Sequence, residues 1–342
     1  ILLIVFMLGG ILEKTIVDLM TTYLADPFHA LGIDPFADTI GGAVILALMS
    51  GLGIAYPYVF LIYLFISVLD DTGYLTRAAF LADRGMHKLG LHGQGLIPMV
   101  VSFGCSVPAI MSTLLLPTRR ERVIASVLVT MLPCSARTVV ISGIVASFIG
   151  FGAAFLIYAI VFVLVFVVGC ILSRITPGEQ YGMILEMAEL RRPIASHVLR
   201  KAWMRVREFL YIAMPLLLVS SIFLGLFEYY GLVTLFEEFI NPVSTAVLGL
   251  PGFAFTALMF GILRKEMAFE TLAVMAGTTD LAAVLSSGQL YIFALVCALF
   301  IPCISTIAVL MREKGVRYAA MITVFTLCLG IGLGTLAHLI LL

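Results

Sequence analysis

The chain has 342 residues, 62% of them hydrophobic and 12% charged, with a mean hydropathy of +1.16. Soluble domains are nearer half apolar and about a quarter charged. This composition leaves too little polar surface for a soluble globule and excludes a cytosolic enzyme, a secreted disulfide scaffold and a disordered chain. Lys+Arg and Asp+Glu are both 20, so overall charge points to neither nucleic acid nor an acidic partner.

A helix needs about 20 apolar residues to cross a bilayer. Ile1 to Met20 reads as a span cut short at its start, and further apolar runs cover Ile40 to Leu69, Val123 to Phe148, Ala153 to Leu172, Phe209 to Phe227, Gln289 to Met311 and Tyr318 to Leu342. The chain starts at Ile1, with no Met and no basic n-region, so no signal peptide is read and the natural polypeptide is expected to extend upstream. The six cysteines form no CxxC and no disulfide framework. The lysines follow Glu13, His87, Arg200, Arg264 and Glu313. None follows a glycine, so there is no phosphate-binding G-x-x-x-x-G-K-[ST] loop, and any nucleotide-driven step belongs to another domain or chain.

Most Lys and Arg lie in four segments, residues 70–95, 117–122, 174–208 and 312–317, whereas 25–40, 228–252 and 277–288 contain acids and no bases. By the positive-inside rule the basic segments are cytoplasmic. Residues 94–117 are apolar with both flanks basic, so they are expected to enter and return as a re-entrant hairpin, with Gly104, Cys105, Ser106, Val107 and Pro108 near the tip. Residues 252–276 have both flanks acidic and are expected to dip in from outside, with Arg264, Lys265 and Glu266 near the turn. The alternative is two ordinary spans that break the charge rule.

The chain resembles itself at an offset of about 158 residues. Pro57 to Gly73 and Pro215 to Gly231 have equal spacing, and Asp70 aligns with Glu228. Leu89-Gly-Leu-His-Gly93 matches Leu248-Gly-Leu-Pro-Gly252, Phe103-Gly104 matches Phe260-Gly261, and Pro133-Cys134 matches Pro302-Cys303. The first copy begins inward and the second outward, so the repeats are inverted, a transporter signature with the substrate site at the repeat interface. The expected organisation is an N-terminal span and external loop (1–40), a first repeat (41–173), a cytoplasmic amphipathic linker (174–208) and an inverted second repeat (209–342). Within the linker region, residues 179–208, with Trp203 among Lys201, Arg205 and Arg207, read as an interfacial helix or a docking surface.

Thiolate and imidazole suit first-row transition metals, and all-oxygen sites suit Mg²⁺ or Ca²⁺. Cys105 sits in the first hairpin. Cys134 and Cys303 each follow a proline inside an apolar span, where the missing N–H frees a backbone carbonyl as a further ligand. Cys105, Cys134 and Cys303 therefore read as one soft cation site. The competing reading is a small buried apolar residue, which is applied to Cys170, Cys297 and Cys328. Ionisable groups at membrane depth are functional candidates. Glu266 is read as a cation ligand or proton relay beside Lys265, and Arg264 as a partner of Glu270 or an interfacial residue. Arg137 pairs with an acid such as Glu266, or ties hairpin to bundle. Asp70 and Asp71 at the inner mouth and Glu228 at the outer mouth concentrate cations or are ordinary loop acids. Tyr56-Pro57 and Met214-Pro215 read as kinks. No histidine lies in a metal-spaced cluster.

These motifs resemble the membrane domain of the ferrous-iron transporter B family. Leu69-Asp-Asp-Thr-Gly-Tyr-Leu-Thr-Arg-Ala-Ala-Phe80 is similar to its acidic-SGYMARAAF segment, Phe103-Gly-Cys-Ser-Val-Pro-Ala109 to FGCNVPA, and Cys134-Ser135-Ala136-Arg137 to CSAR. Lys265-Glu266 matches its KE pair and Pro302-Cys303 its late PC pair. Ser106 replaces the usual Asn, and Arg264 adds a charge beside the KE pair. The resemblance implies paired gate-type repeats related to nucleoside-transporter folds, and Fe²⁺ uptake across the plasma (inner) membrane of a prokaryote. It implies metal-facing Cys105, Cys134 and Cys303 with Glu266, and pathway or gating roles for Gly104, Ser106, Pro108, Ser135, Arg137, Lys265, Pro302, Asp70, Asp71 and Glu228. It also implies a GTP-binding domain outside this chain, a small accessory protein and self-association in the bilayer. The chain itself is then not an enzyme. The alternative is a nucleoside or other organic-solute transporter on the same scaffold, and a third reading is a membrane anchor for a GTP-binding partner.

Overall fold

A computed structural model describes residues 2–30, 35–177, 192–263, 265, 267–276 and 281–341. The described residues are helical, with no strand among them. In chain order the α-helices are α1 (Leu2–Met20), α2 (Asp26–Ala30), α3 (Pro35–Leu48), α4 (Tyr56–Asp71), α5 (Tyr74–Lys88), α6 (Leu96–Ser102), α7 (Ser106–Ser112), α8 (Arg119–Met131) and α9 (Ser135–Val140). They continue as α10 (Phe151–Ile175), α11 (Ala195–Tyr229), α12 (Leu232–Leu248), α13 (Gly252–Leu263), α14 (Met267–Ala276), α15 (Ser287–Leu299), α16 (Ile304–Lys314) and α17 (Val316–Leu341).

The chain divides into two compact units. The first comprises Ile1–Phe80 and Ile184–Leu232. In it α11 packs along α3 and α4, and α1 packs against α4. The apolar run from Ile40 to Leu69 lies in one unbroken helical stretch that changes type in its middle. A π-helical segment, Met49–Ala55, joins α3 to α4, and Tyr56 N–H reaches back to Gly51 O just before Pro57, whose missing N–H places the change of helix type at the expected Tyr56-Pro57 kink. Residues 195–208 do not form a separate interfacial helix. They are the first part of the 35-residue α11, which runs through Pro215 without ending. Charged side chains lie on an α-helix without interrupting it, so the charge pattern marks depth rather than helix ends.

The second unit comprises Leu81–Met183 and Val233–Leu342. It contains the four helical stretches among the described residues that are long and apolar enough to cross a membrane: Arg119–Ala146, Phe151–Ile175, Ser287–Lys314 and Val316–Leu341. Their burial divides them. The apolar windows of the first and third are 72% buried, whereas those of Phe151–Ile175 and Val316–Leu341 are 28% and 17% buried. A 25-residue helix that exposes Phe155, Phe162, Val163 and Phe166 has apolar side chains on every side, which suits lipid rather than water. The buried pair is also the broken pair. Arg119–Ala146 is interrupted between α8 and α9 at Pro133-Cys134, and Ser287–Lys314 between α15 and α16 at Pro302-Cys303. Both hairpin sequences fold as paired short helices. α6 packs on α7 across Phe103-Gly104-Cys105, and α13 packs on α14 across the segment containing Lys265.

The internal repeat is visible in local structure. Gly73 (φ 73) and Gly231 (φ 65) follow α4 and α11, and Gly90 (φ 77) and Gly249 (φ 65) follow α5 and α12. Downstream of each second turn a glycine N–H donates to a side-chain oxygen: Gly93 to Asp83 Oδ1 at 2.7 Å and Gly252 to Asn241 Oδ1 at 2.9 Å. The shared Leu-Gly-Leu-x-Gly motif is thus a helix stop followed by a capped restart.

The second unit also places its charge at one end. Arg119 and Arg120 at the start of α8, Thr176 after α10 and Tyr318 near the start of α17 border one groove. The opposite ends of α10, α15 and α17, around Ala153, Ser287 and Leu341, contain neither Lys nor Arg. This is the asymmetry a bilayer orientation requires.

Gly90 tests the capped restart. A Cβ there would meet Ser173 Cβ and Oγ at 2.8 Å in a backbone conformation that disfavours side chains. Gly231 has positive φ but open space around it. Gly90→Ala is expected to destabilise the detergent-solubilised protein by about 2 kcal/mol and Gly231→Ala by about 1 kcal/mol, read by thermal unfolding. Equal losses would contradict the close packing at Gly90.

Candidate functional site

Each of the three motif-embedded cysteines is the residue immediately before a short helix. Cys105 caps α7, Cys134 caps α9 and Cys303 caps α16, all with extended backbone. Proline is the cause at two of them. Pro133 and Pro302 cannot donate to the preceding helix, so α8 ends at Met131 and α15 at Leu299, and the chain restarts after the cysteine. A helix start presents unpaired N–H groups and the positive end of the helix dipole. The three thiols therefore stand where three half-helices direct their N-terminal ends.

The breaks are joined by Arg137, whose side chain is buried. Its Nη1 donates to Thr130 O at 2.8 Å and Leu132 O at 3.2 Å, and its Nη2 donates to Phe300 O at 3.4 Å. One guanidinium thus serves carbonyls at the end of α8 and at the end of α15. Nε is buried without a hydrogen-bond partner. The expected pairing of Arg137 with an acid is not seen among the described residues; backbone oxygens take that place, and Glu266 and Arg264 lie outside the described residues. Arg137 thus engages carbonyls beside both breaks, at Thr130, Leu132 and Phe300.

Phe300 is fully buried and is approached from a second side. Lys265 Nζ lies 5.8 Å from the centroid of its ring, a cation–π distance. Lys265 is itself buried, and the groups in its electrostatic field are Cys297, Arg137, Cys303 and Cys134. Cys303 Sγ lies 3.0 Å from Thr306 Oγ1. Tyr158 hydrogen-bonds Thr138 and lies within electrostatic reach of Cys134. The first hairpin is fastened to the same place, because Gly104 O accepts from Ser135 N at 3.1 Å and from Ser135 Oγ at 2.8 Å. Ser106 and Pro108 are buried behind that contact in α7, and Pro302 is buried at the second break.

The structure brings together Gly104, Cys134, Ser135, Arg137, Lys265 and Cys303, with Cys105 next to Gly104. Among the described residues no three His, Cys, Asp or Glu side chains form a group able to hold a metal ion, so the three thiols do not make a closed site. The mouth acids are in the first unit. Asp70 pairs with Lys201 at 3.0 Å, and buried Asp71 accepts from Ile194 N at 2.9 Å. These contacts tie α4 to the chain entering α11. Glu228 lies in α11, with its side chain outside the described residues. Cys297, expected in the core, is buried, and it lies within electrostatic reach of Lys265. Its only sequence signal is its place two turns before Cys303 on the same span.

Two copies of one repeat, each with a short-helix hairpin and a span broken at Pro-Cys, define a polytopic membrane scaffold built on paired repeats. A family model described as Gate, nucleoside recognition, matches residues 52–148 and 210–317, and one described as the ferrous iron transport protein B C terminus matches residues 154–205. The chain is 31% identical over 320 residues to the Fe(2+) transporter FeoB of Methanocaldococcus jannaschii, covering 82% of this chain and 47% of that protein. It is 28% identical over 319 residues to FeoB of Staphylococcus aureus, covering 87% and 48%. A Porphyromonas gingivalis protein described as an Fe(2+) transport protein A/FeoB fusion matches at 28% over 218 residues, covering 62% of this chain and 25% of that protein. The chain belongs to the FeoB family. It spans about half the length of the first two of these relatives. No solved structure matches it.

Removing Arg137 leaves three buried carbonyls without their donor. Arg137→Met is expected to cost about 3 kcal/mol of stability. Arg137→Lys keeps the charge but lacks the planar fork and is expected to recover only part of that loss. Thermal unfolding in detergent reads both. Full stability of Arg137→Met would show that the breaks do not depend on this residue.

Proposed function

We propose that this chain forms the membrane pathway of a ferrous-iron transporter and that Fe²⁺ is its cargo. The observation that carries this reading is the placement of Cys105, Cys134 and Cys303 at the N-terminal ends of three half-helices, two of them at matching Pro-Cys breaks. Sulfur donors suit a borderline cation such as Fe²⁺ better than Mg²⁺ or Ca²⁺. Glu266 completes the set as a charged ligand or relay beside Lys265. Gly104, Ser106, Pro108, Ser135, Arg137, Lys265 and Pro302 shape the pathway, and Asp70, Asp71 and Glu228 serve its mouths.

The same reading places the chain in the inner membrane of a prokaryote. GTP acts through a domain outside the matched span, and the P. gingivalis fusion supports a small accessory protein as a partner. The chain is a transporter segment rather than an enzyme. The proposed organisation remains 1–40, 41–173, 174–208 and 209–342.

Fe²⁺ flux into liposomes tests the thiol role. The Cys105→Ser, Cys134→Ser, Cys303→Ser triple variant of the full-length transporter is expected to lose at least about tenfold in rate, a barrier increase of about 1.4 kcal/mol. Affinity order does not favour Fe²⁺ over its neighbours, so the parent is expected to pass Co²⁺ or Zn²⁺ as competitors. Parent-level Fe²⁺ flux in the triple variant would remove the thiols from the pathway. The Gate description favours one other cargo, a nucleoside. Metal-independent uptake of labelled uridine would establish it.

A further inference from the structure

A groove of about 540 Å³ lies among α8, α10 and α17 at the basic end of the second unit. Its walls are aliphatic and aromatic, including Val123, Leu172, Ile322 and Phe325, and its mouth carries Arg119 and Arg120. α10 and α17 are the two largely unburied spans, so the groove lies on the side of the unit that lipid covers. Arg120 is fixed by backbone oxygens: its Nε donates to Thr176 O at 3.0 Å and its Nη2 to Ser173 O at 2.5 Å. Arg119 lies 5.9 Å from the Tyr318 ring centroid and has no ion pair or hydrogen bond from its side chain among the described residues. The acid between these arginines and Arg122 turns away, since Glu121 is buried with its Oε2 2.6 Å from His92 Nδ1. Among the described residues, two guanidinium groups at the mouth are therefore left without a carboxylate, above an apolar trough.

We infer that this groove binds one anionic phospholipid of the cytoplasmic leaflet, with its phosphate on Arg119 and Arg120 and an acyl chain along α10 and α17. The position follows from physics rather than shape alone. Basic pockets between transmembrane helices on the cytoplasmic side bind acidic headgroups, and guanidinium presents paired donors to phosphate oxygens. Free phosphate would satisfy the arginines but leave the apolar trough empty, and a zwitterionic lipid would fill the trough without supplying net charge. α8, which carries Arg119 and Arg120 at its start, ends at the Pro133-Cys134 break. An occupied groove thus anchors the cytoplasmic end of a broken pathway helix.

Native mass spectrometry of the full-length transporter tests the inference, with phosphatidylglycerol, phosphatidylcholine or inorganic phosphate added to detergent-solubilised protein. Phosphatidylglycerol is expected to remain bound at least about fivefold more than phosphatidylcholine, and Arg119→Gln with Arg120→Gln to abolish that preference. Arg84→Gln, an exposed base on α5, is expected to leave it intact. Should the double variant fold poorly, Arg119→Gln alone decides, because that side chain is exposed and forms no hydrogen bond among the described residues. Equal retention of both lipids would overturn the inference, as would unchanged preference in Arg119→Gln or retention of inorganic phosphate in place of lipid.

Discussion

The site depends on a single buried guanidinium. A helix broken in mid-membrane leaves carbonyls with neither helix nor water to satisfy them, and each such group costs several kcal/mol in hydrocarbon. Arg137 supplies donors to carbonyls on both sides of the problem, Thr130 and Leu132 at the first break and Phe300 at the second. The two Pro-Cys interruptions can therefore exist beside one another. The half-helix starts that present Cys134 and Cys303 follow from those interruptions, and Ser135 binds the first hairpin to them through Gly104.

The junction carries buried positive charge. Lys265 and Arg137 are both buried, and neither has a carboxylate partner among the described residues. Fixed positive charge in a low-dielectric setting opposes a resting divalent cation, and thiols near Lys265 offset that opposition only when a cargo engages them. On the Fe²⁺ reading proposed above, such a junction would hold its cargo weakly and favour release, as conduction requires. Lys265 also rests on the Phe300 ring while Arg137 holds the Phe300 carbonyl, so the second break is gripped from two directions.

Much of this was legible from sequence because it is written in local chemistry. Proline stops a helix wherever it falls inside one, and glycine marks a turn of positive φ. The matched Leu-Gly-Leu-x-Gly and Pro-Cys pairs therefore announced the repeat and both breaks. Loop charge located the basic end of the second unit and the two hairpins for the same reason. The partners of Arg137 were not legible, because a backbone carbonyl is present at every residue and has no signature of its own. Asp71 bonds an amide 123 residues away, and Asp70 pairs across a similar separation, so the partners of these two acids had no local signature. Cys297 lay in an apolar run with no motif around it, and only tertiary packing brings it to Lys265. Tyr56-Pro57 was legible as a kink, but the π-helical turn before it was not, since hydropathy does not register a change of helix type.

Anomalous scattering from Fe²⁺-soaked crystals of the full-length transporter tests the central claim most directly, that cargo passes between the two breaks that Arg137 joins. The account predicts an iron peak within bonding reach of Cys134 or Cys303, close to Phe300. Iron bound only at carboxylates remote from the breaks, such as Asp70 and Asp71, would contradict it.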